Sequence, residues 1–291
     1  MLSAPKTDQN EPTTQEIQNA SNQDPYRSSC CGRFRNRFVC AGHCGDGAGC
    51  TGATVAASKP EGFLFGILGG MCSHYDPQTD PSRLRSNFGV EGLPLGLKPS
   101  LWPGYHGPFV RKHEFADVGD DAVPFRELLV GSFGLIPHWS KDATIARRTY
   151  NARSETAHEK PSYRDAWRLA RHCIIPAEAI YEPNWTTGKA VATRITRADG
   201  KPMGIAGLWS SWRTPAGEVT HSYTMLTINA DEHSFMRQFH KAEDEKRMVV
   251  ILDEGNYDLW LQAPANETRA FLRPFPAEGL IAAQPQSSLL G

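Results

Sequence analysis

Cys173-Ile-Ile-Pro-Ala-Glu-Ala-Ile-Tyr-Glu182 is an apolar run that ends on a carboxylate. Its length and its β-branched and aromatic content predict a buried strand that carries Glu182 at its far end. Cys173, which opens the run, reads as an inert core thiol. Downstream the pattern repeats at short intervals. A turn at Gly188 is followed by strands over 190–195 and 203–209. Pro215-Ala-Gly217 then makes a hairpin turn into a strand over 223–228. A short helix is expected over 231–239, a strand over 248–252, and a helix over 254–261 with Tyr257, Trp260 and Leu261 inward.

Upstream, Asp80-Pro81-Ser82 can start a helix with Leu84 and Phe88 on one face. Trp102-Pro-Gly-Tyr-His-Gly-Pro108 reads as turns, and Phe109-Val110 as a short strand. Residues 124–130 lead into Phe133-Gly-Leu-Ile-Pro137, read as a buried strand that leaves the core at its proline. Tyr163, Ala166, Trp167 and Ala170 recur at helical spacing, with arginines on the other side. Many short strands joined by turns, with a few helices, predict an α+β fold around a mostly antiparallel, barrel-like sheet.

Length and composition bound the rest. The chain has 291 residues, with 31 Lys+Arg against 32 Asp+Glu. Net charge therefore gives no argument for nucleic-acid binding, which would need a local basic patch. No apolar run approaches the roughly 18 residues of a membrane span, so no membrane partner is expected. The apolar run over 62–70 is too short and lacks a basic start, which argues against a signal peptide.

Five of the seven cysteines, Cys30, Cys31, Cys40, Cys44 and Cys50, lie in the first fifty residues. The part expected to fold has almost none to staple it, which favours a reducing cytoplasm. Residues 1–70 form a polar, then Cys/Gly/Ala-rich extension with little to bury, and disorder is expected there. Cys40, His43, Cys44 and Cys50 do not follow a common zinc spacing, and no metal or cofactor is expected. A single domain is expected over 71–284.

Asn151-Ala-Arg-Ser-Glu155 reads by itself as a solvated loop with an Asx turn. Its chemistry allows more: the Asn151 amide donates and accepts, and Arg153 offers a planar fork suited to phosphate. The order of motifs favours this second reading. Phe133-Gly-Leu-Ile-Pro-His-Trp139, Asn151-Ala-Arg-Ser-Glu155, Cys173 to Glu182, Ile205-Ala-Gly-Leu-Trp209, Thr224-Met-Leu-Thr-Ile228, His240 and Arg247-Met-Val-Val-Ile-Leu252 follow one another in that sequence. Together they strongly resemble the SRAP family, the SOS-response-associated peptidase domain, over about residues 71–280.

The resemblance implies an essential cysteine right after an initiator Met. Met71-Cys72-Ser-His-Tyr75 supplies one. Cys31-Gly-Arg-Phe34 is nearer the family's opening but runs into a Gly-rich tail, whereas a plausible domain follows Cys72. Cys72 is therefore preferred, and the segment before it reads as an extension or a misplaced start. Two departures stand out. His74 replaces the family's usual Arg, and the Asn-x-x-Pro segment that touches substrate is missing near Tyr105 and Pro108.

By this resemblance the protein forms a covalent link to abasic sites in single-stranded DNA during the DNA-damage (SOS) response, with autoproteolysis that exposes Cys72. The link is single-turnover, with lyase-like chemistry. A terminal Cys carries an amine of reference pKa about 8 beside a thiol. The amine condenses with the ring-opened aldehyde, and the thiol closes a thiazolidine. Glu182, at the end of an apolar strand, would have a raised pKa and shuttle protons, or else be a surface glutamate at a strand end. His240 is implied as the second acid/base group, and Asn151 as the residue orienting the amine.

For DNA, Arg153 would hold a phosphate, Arg147, Arg148 and Lys141 would add backbone charge, Trp139 would stack on a base, and Thr227 would line the pocket. A monomer without cofactor, nucleoid-associated on damage, is expected. The competing readings are a cysteine peptidase or N-terminal-nucleophile amidohydrolase built on the same residues, and a plain single-strand-binding module.

Overall fold

The computed structural model of the protein describes residues 73–92 and 96–283. Cys72, the cysteines before it and the expected extension lie outside the described residues. Eleven strands make one sheet. In chain order they are β1 (His74–Pro77), β2 (His106–Lys112), β3 (Arg126–Phe133), β4 (Asn151–Arg153), β5 (His172–Asn184) and β6 (Val191–Arg197). Then come β7 (Met203–Arg213), β8 (Val219–Asn229), β9 (Arg247–Val249), β10 (Ile251–Leu252) and β11 (Leu280–Ala283). The helices are α1 (Pro81–Phe88), α2 (Arg164–Arg168) and α3 (Tyr257–Gln262).

The ring β5-β7-β8-β3-β2 closes on itself, because β5 pairs with both β7 and β2. Closure removes the exposed edges that an open sheet would leave. All pairings are antiparallel except β3–β8 and β4–β8. The α+β fold around a mostly antiparallel, barrel-like sheet is the one the turn spacing predicts.

β5 is the longest strand and changes partners along its length. His172–Ala177 bonds β7, while Ile180–Asn184 bonds β6. On its other edge β1 takes the later residues, with His74 opposite Tyr181 and Tyr75 opposite Ile180. Ile174, Ile175, Ala177 and Ile180 are buried with Cys173, whose thiol burial pushes well above its ordinary pKa. At the barrel's centre the hydroxyls of Tyr75 and Tyr223 meet at 2.5 Å, each satisfying the other away from water.

Helix α1 starts as its sequence suggests. The Asp80 side chain accepts from the Arg83 amide, Pro81 follows, and Leu84 and Phe88 face the core. The helix ends at Gly89 in the left-handed conformation. Helix α3 buries Tyr257, Trp260 and Leu261, and the Trp260 indole donates to the Cys173 carbonyl at 2.9 Å.

Several expectations are corrected. The strand expected over 133–137 is β3 and stops at Phe133. Gly134 has φ +118°, and a Cβ there would collide with the Ala146 carbonyl. Leu135 and Ile136 stay buried but bond Thr149 and the Ser222 hydroxyl instead of a strand. Asn151–Arg153 is not a solvated loop. It runs parallel to Met225–Thr227 with Ala152 fully buried.

The 231–239 helix shrinks to a single 3₁₀ turn at Met236–Gln238. The His233 ring nitrogen takes the amides of Phe235 and Met236, competing with helical bonding. The 162–170 helix is only α2, ending where Ala170 turns to φ 48°. The 248–252 strand splits at Val250, which donates to Leu226 on one side and accepts from Ala206 on the other.

His172 opens β5 fully buried, stacked on Trp260 at 4.1 Å and 2.9 Å from the Thr268 hydroxyl. Burial holds its pKa down at about 4. The unfolded imidazole takes a proton near 6.5 while the native one does not. Stability is therefore intact above pH 6.5 and falls as pH drops toward 4. At 1.36 kcal/mol per pH unit the window is worth up to about 3 kcal/mol. Urea unfolding at pH 7 and pH 4.5 should show wild-type losing more stability on acidification than His172→Gln. Equal losses would show that this imidazole does not control acid stability.

Candidate active site and DNA-binding face

Glu182 lies near the C-terminal end of β5, opposite Thr193 of β6, and is 1 % exposed. A carboxylate this deep is costly without partners. His240 follows the 3₁₀ turn and brings its Nε2 to 3.8 Å from Glu182 Oε2. That distance is ion-pair range and too long for a hydrogen bond. Neither ring nitrogen of His240 has a hydrogen-bond partner among the described residues. Burial lowers its pKa, and the charge of Lys246 lowers it further. The imidazole is thus neutral at pH 7, with both nitrogens available to a third group.

Six residues separate His240 from Arg247, and the loop between them is tied down locally. The Lys246 ammonium donates to the carbonyls of Lys241 and Asp244. Its amide donates to Asp231. Lys241 sits over the Trp185 ring, 4.7 Å from its centroid, just beyond the end of β5. His240 is therefore held between two short fixed segments and does not ride on a free loop.

The chain enters β1 at the Glu182 end of β5. His74, two residues after Cys72, pairs with Tyr181, the neighbour of Glu182. Its ring is sandwiched between Trp102 at 4.4 Å and Tyr181 at 4.1 Å, with interplanar angles of 9° and 14°. Burial lowers the His74 pKa against the opposing pull of Asp76. At the position of the family's usual Arg, this chain thus has an uncharged ring in an aromatic column. The outer member of that column, Trp102, is 43 % exposed.

Asn151 begins β4. The Tyr163 hydroxyl donates to its main-chain carbonyl at 3.0 Å, and its amide oxygen is shielded from solvent. Arg153, two residues on, is exposed, but its guanidinium is engaged at 2.6 Å by Glu245. The other oxygen of Glu245 takes Arg247 at 2.7 Å, and Arg247 also holds Glu155 at 2.8 Å. Partial burial opposes ionisation of Glu245, but Arg247 and Arg153 outweigh it and hold its carboxyl below the usual range. Thr227 is fully buried, with Arg247 3.2 Å from its hydroxyl.

Arg147 and Arg148 end the 3₁₀ turn Ala143–Arg148 and are exposed, as is Lys141. None of the three has a carboxylate partner among the described residues. Trp139 is 47 % exposed.

The sequence reading named neither Glu245 nor the pairing of Arg247 with Glu155. The acidic Glu243-Asp-Glu245 run before Lys246-Arg247 was the available signal. The aromatic column was also missed, because Trp102 and Tyr181 are far apart in sequence. Among the described residues no group of His, Cys, Asp and Glu is placed to hold a metal ion, and no helix is long and apolar enough to cross a membrane.

A sequence model of the SOS response associated peptidase (SRAP) family matches residues 71–288. The chain is 34 % identical over 159 residues to the abasic site processing protein YoqW of Bacillus subtilis (strain 168), covering 53 % of this chain and 67 % of that one. It is 28 % identical over 201 residues to the abasic site processing protein HMCES of Gallus gallus, covering 59 % and 56 %. A crystal structure of a protein from Bordetella bronchiseptica superposes with a TM-score of 0.67 at 49 % identity, over 74 % of this chain and all of that one. By the span of the family match, the chain belongs to the SOS response associated peptidase family.

Proposed function

We propose that this protein processes abasic sites in single-stranded DNA by linking itself covalently to them through Cys72, freed as the N-terminal residue by autoproteolysis or Met removal. The observation that carries the reading is the buried Glu182–His240 pair, a neutral imidazole 3.8 Å from a carboxylate at the strand end where the chain arrives from Cys72. Two relatives named abasic site processing proteins support the substrate.

The chemistry follows from the groups. The neutral Cys72 amine adds to C1′ of the open sugar aldehyde, and the carbinolamine loses water to give an imine. The thiol then adds across the C=N bond. A C–S bond forms, the thiol proton passes to nitrogen, and a thiazolidine results, with one water released overall. Glu182 and His240 move the protons at the carbinolamine oxygen and the sugar oxygen, and Asn151 orients the amine. The same pair can serve hydrolysis of the bond before Cys72. The domain over 71–284 acts as a monomer in the reducing cytoplasm, close to DNA.

Cys72→Ser and Cys72→Ala should give no heat-stable band with abasic single-stranded DNA. A residue inserted between Met71 and Cys72 should be as damaging, because it moves the amine away from the sulfur. Cys31→Ser should have no effect. Glu182→Gln, His240→Ala and Asn151→Ala should slow the crosslink, the first two by about a hundredfold or more. If the insertion is harmless and Cys72→Ser instead abolishes amide turnover, the protein is a cysteine hydrolase. Single-stranded substrate should react faster than duplex, where the sugar must first be unstacked.

Glu245 spans Arg153 and Arg247 as a phosphate would, so it competes for the Arg153 fork. Glu245→Gln should bind single-stranded DNA several-fold more tightly at low salt, with a log–log salt slope steeper by about 0.7. Anisotropy titrations with unchanged slope would remove Arg153 from the phosphate contacts.

A further inference from the structure

Leu135, Pro137 and His138, α2 and its flanks, and β7 line a cleft of about 160 Å³ that is open to solvent. Its polar lining is Ser162, Asp165, Arg168, Arg171, Ser210 and Ser211, with His138. Arg171 is the group that gives it a character. It is half-buried, its backbone fixed by bonds to Ala166 and Trp209. Its guanidinium lies over the Trp209 ring at 5.2 Å, with Arg111 over the same ring at 4.3 Å. Arg111 is satisfied by Glu127 at 2.7 Å. Arg171 has neither a hydrogen-bond acceptor nor a carboxylate within ion-pair range among the described residues. Burial and the charge of Arg111 work against its own charge, and the charge of Asp165 works more weakly in its favour.

A half-buried guanidinium with five donors and no hydrogen-bond acceptor has its desolvation only partly compensated, by the Trp209 ring and by the charge of Asp165. The single carboxylate in the lining, Asp165, is already claimed by His138 at 3.6 Å and Arg168 at 3.7 Å. The cavity therefore keeps a positive surplus with hydroxyls around it, which is the chemistry of an anion site. A planar fork beside hydroxyl donors suits a phosphodiester better than a carboxylate-free apolar ligand.

The cavity's walls are bonded to the backbone around Asn151, while Glu182 lies toward the other end of β5 from Arg171. The Tyr163 hydroxyl, one residue from Ser162, bonds the Asn151 carbonyl. Leu135 bonds Thr149, two residues before Asn151. Trp139 follows His138 directly and is exposed.

We propose that this cavity is a subsite for one phosphodiester of single-stranded DNA, held by Arg171 with Ser210 and Ser211, where the strand continues past the lesion. The inference rests on the reading of the protein as a single-strand DNA binder but does not need the covalent step. It assigns Arg171 as a binding residue that the motif order does not mark.

The test is a salt titration of binding by fluorescence anisotropy. It uses the full chain and a single-stranded oligonucleotide carrying tetrahydrofuran, an abasic analogue with no aldehyde to crosslink. Arg171→Gln should weaken binding several-fold at low salt and make the log–log slope shallower by about 0.7, one single-strand phosphate. Arg171→Lys, which keeps the charge, should retain the slope and guards against a folding defect. A methylphosphonate walked along the oligonucleotide should cost wild-type binding at one linkage and cost nothing further there in Arg171→Gln. Unchanged affinity and slope in Arg171→Gln, while wild-type binds, would overturn the subsite and leave the DNA reading standing. If instead inorganic phosphate binds wild-type and not the variant with no change on DNA, the site takes a free anion and the proposal fails. Wild-type protein that binds no single-stranded DNA at any salt would sink both readings.

Discussion

The structure depends on β5, thirteen residues long, keeping a strand beside it from end to end while changing partners midway. The change falls at Pro176–Ala177. Pro176 has no amide to donate, and its carbonyl accepts from Gln78 at 3.0 Å. β1 bulges at the same level, between Asp76 and Pro77. Before this point β5 closes the barrel against β7. After it, β5 leaves β7 for β6 and delivers Glu182. One strand thus links the barrel's packing to the placement of the acid. A register slip of one residue would turn Glu182 outward and Tyr181 inward, so the apolar burial that fixes the register also fixes the chemistry.

Charge is distributed with the same economy. Net charge is −1, yet the cations are not evenly neutralised. Arg83, Arg85, Arg126 and Arg197 are each held by a carboxylate, that of Glu178, Glu91, Asp258 and Asp199 in turn. Between 141 and 171, Lys141, Arg147, Arg148, Lys160, Arg164 and Arg171 have no carboxylate partner among the described residues. A chain of balanced composition therefore carries a local excess on the segments that flank Asn151. Electrostatic attraction to a polyanion depends on this local field and not on the total. Arg153 and Arg168 are the exceptions within the stretch: Glu245 from a distant loop reaches Arg153, and Asp165 lies 3.7 Å from Arg168.

Much of this was legible. The length and β-branched content of 173–182 predicted β5, and turn residues at short intervals predicted the antiparallel barrel. Asp80-Pro81 predicted the start of α1 because capping is local chemistry. What was not legible involved bonds to distant strands. Asn151–Arg153 is too short and polar to show a strand period, and only its parallel bonding to β8 makes it one. The Phe133 strand was extended too far because Leu135 and Ile136 are buried without being paired in a sheet. At 231–239 the His233 side chain competes with the helix, a contest that periodicity does not record. In the site, Glu182 and His240 were singled out, but their approach to 3.8 Å needed the fold, and the acidic run over 243–245 did not show which carboxylate would reach Arg153 and Arg247.

The replacement of the family's Arg by His74 can be understood in these terms. A guanidinium beside Glu182 would stabilise the ionised carboxylate and make it a poorer proton donor. The His74 ring, held neutral by burial and stacked between Trp102 and Tyr181, adds no positive charge at that end of β5. His240 is neutral as well. Fixed cations do stand near this pair, Lys246 beside His240 and Arg194 opposite Tyr181, but each is tied to oxygens, Lys246 to the carbonyls of Lys241 and Asp244 and Arg194 to Asp76, whereas unpaired cations gather on the segments around Asn151. An acid–base pair works best when nearby cations are already engaged and burial dominates its proton affinity, and a phosphate is held best by unpaired guanidinium. Placing the two on different segments of one barrel lets each condition hold without disturbing the other.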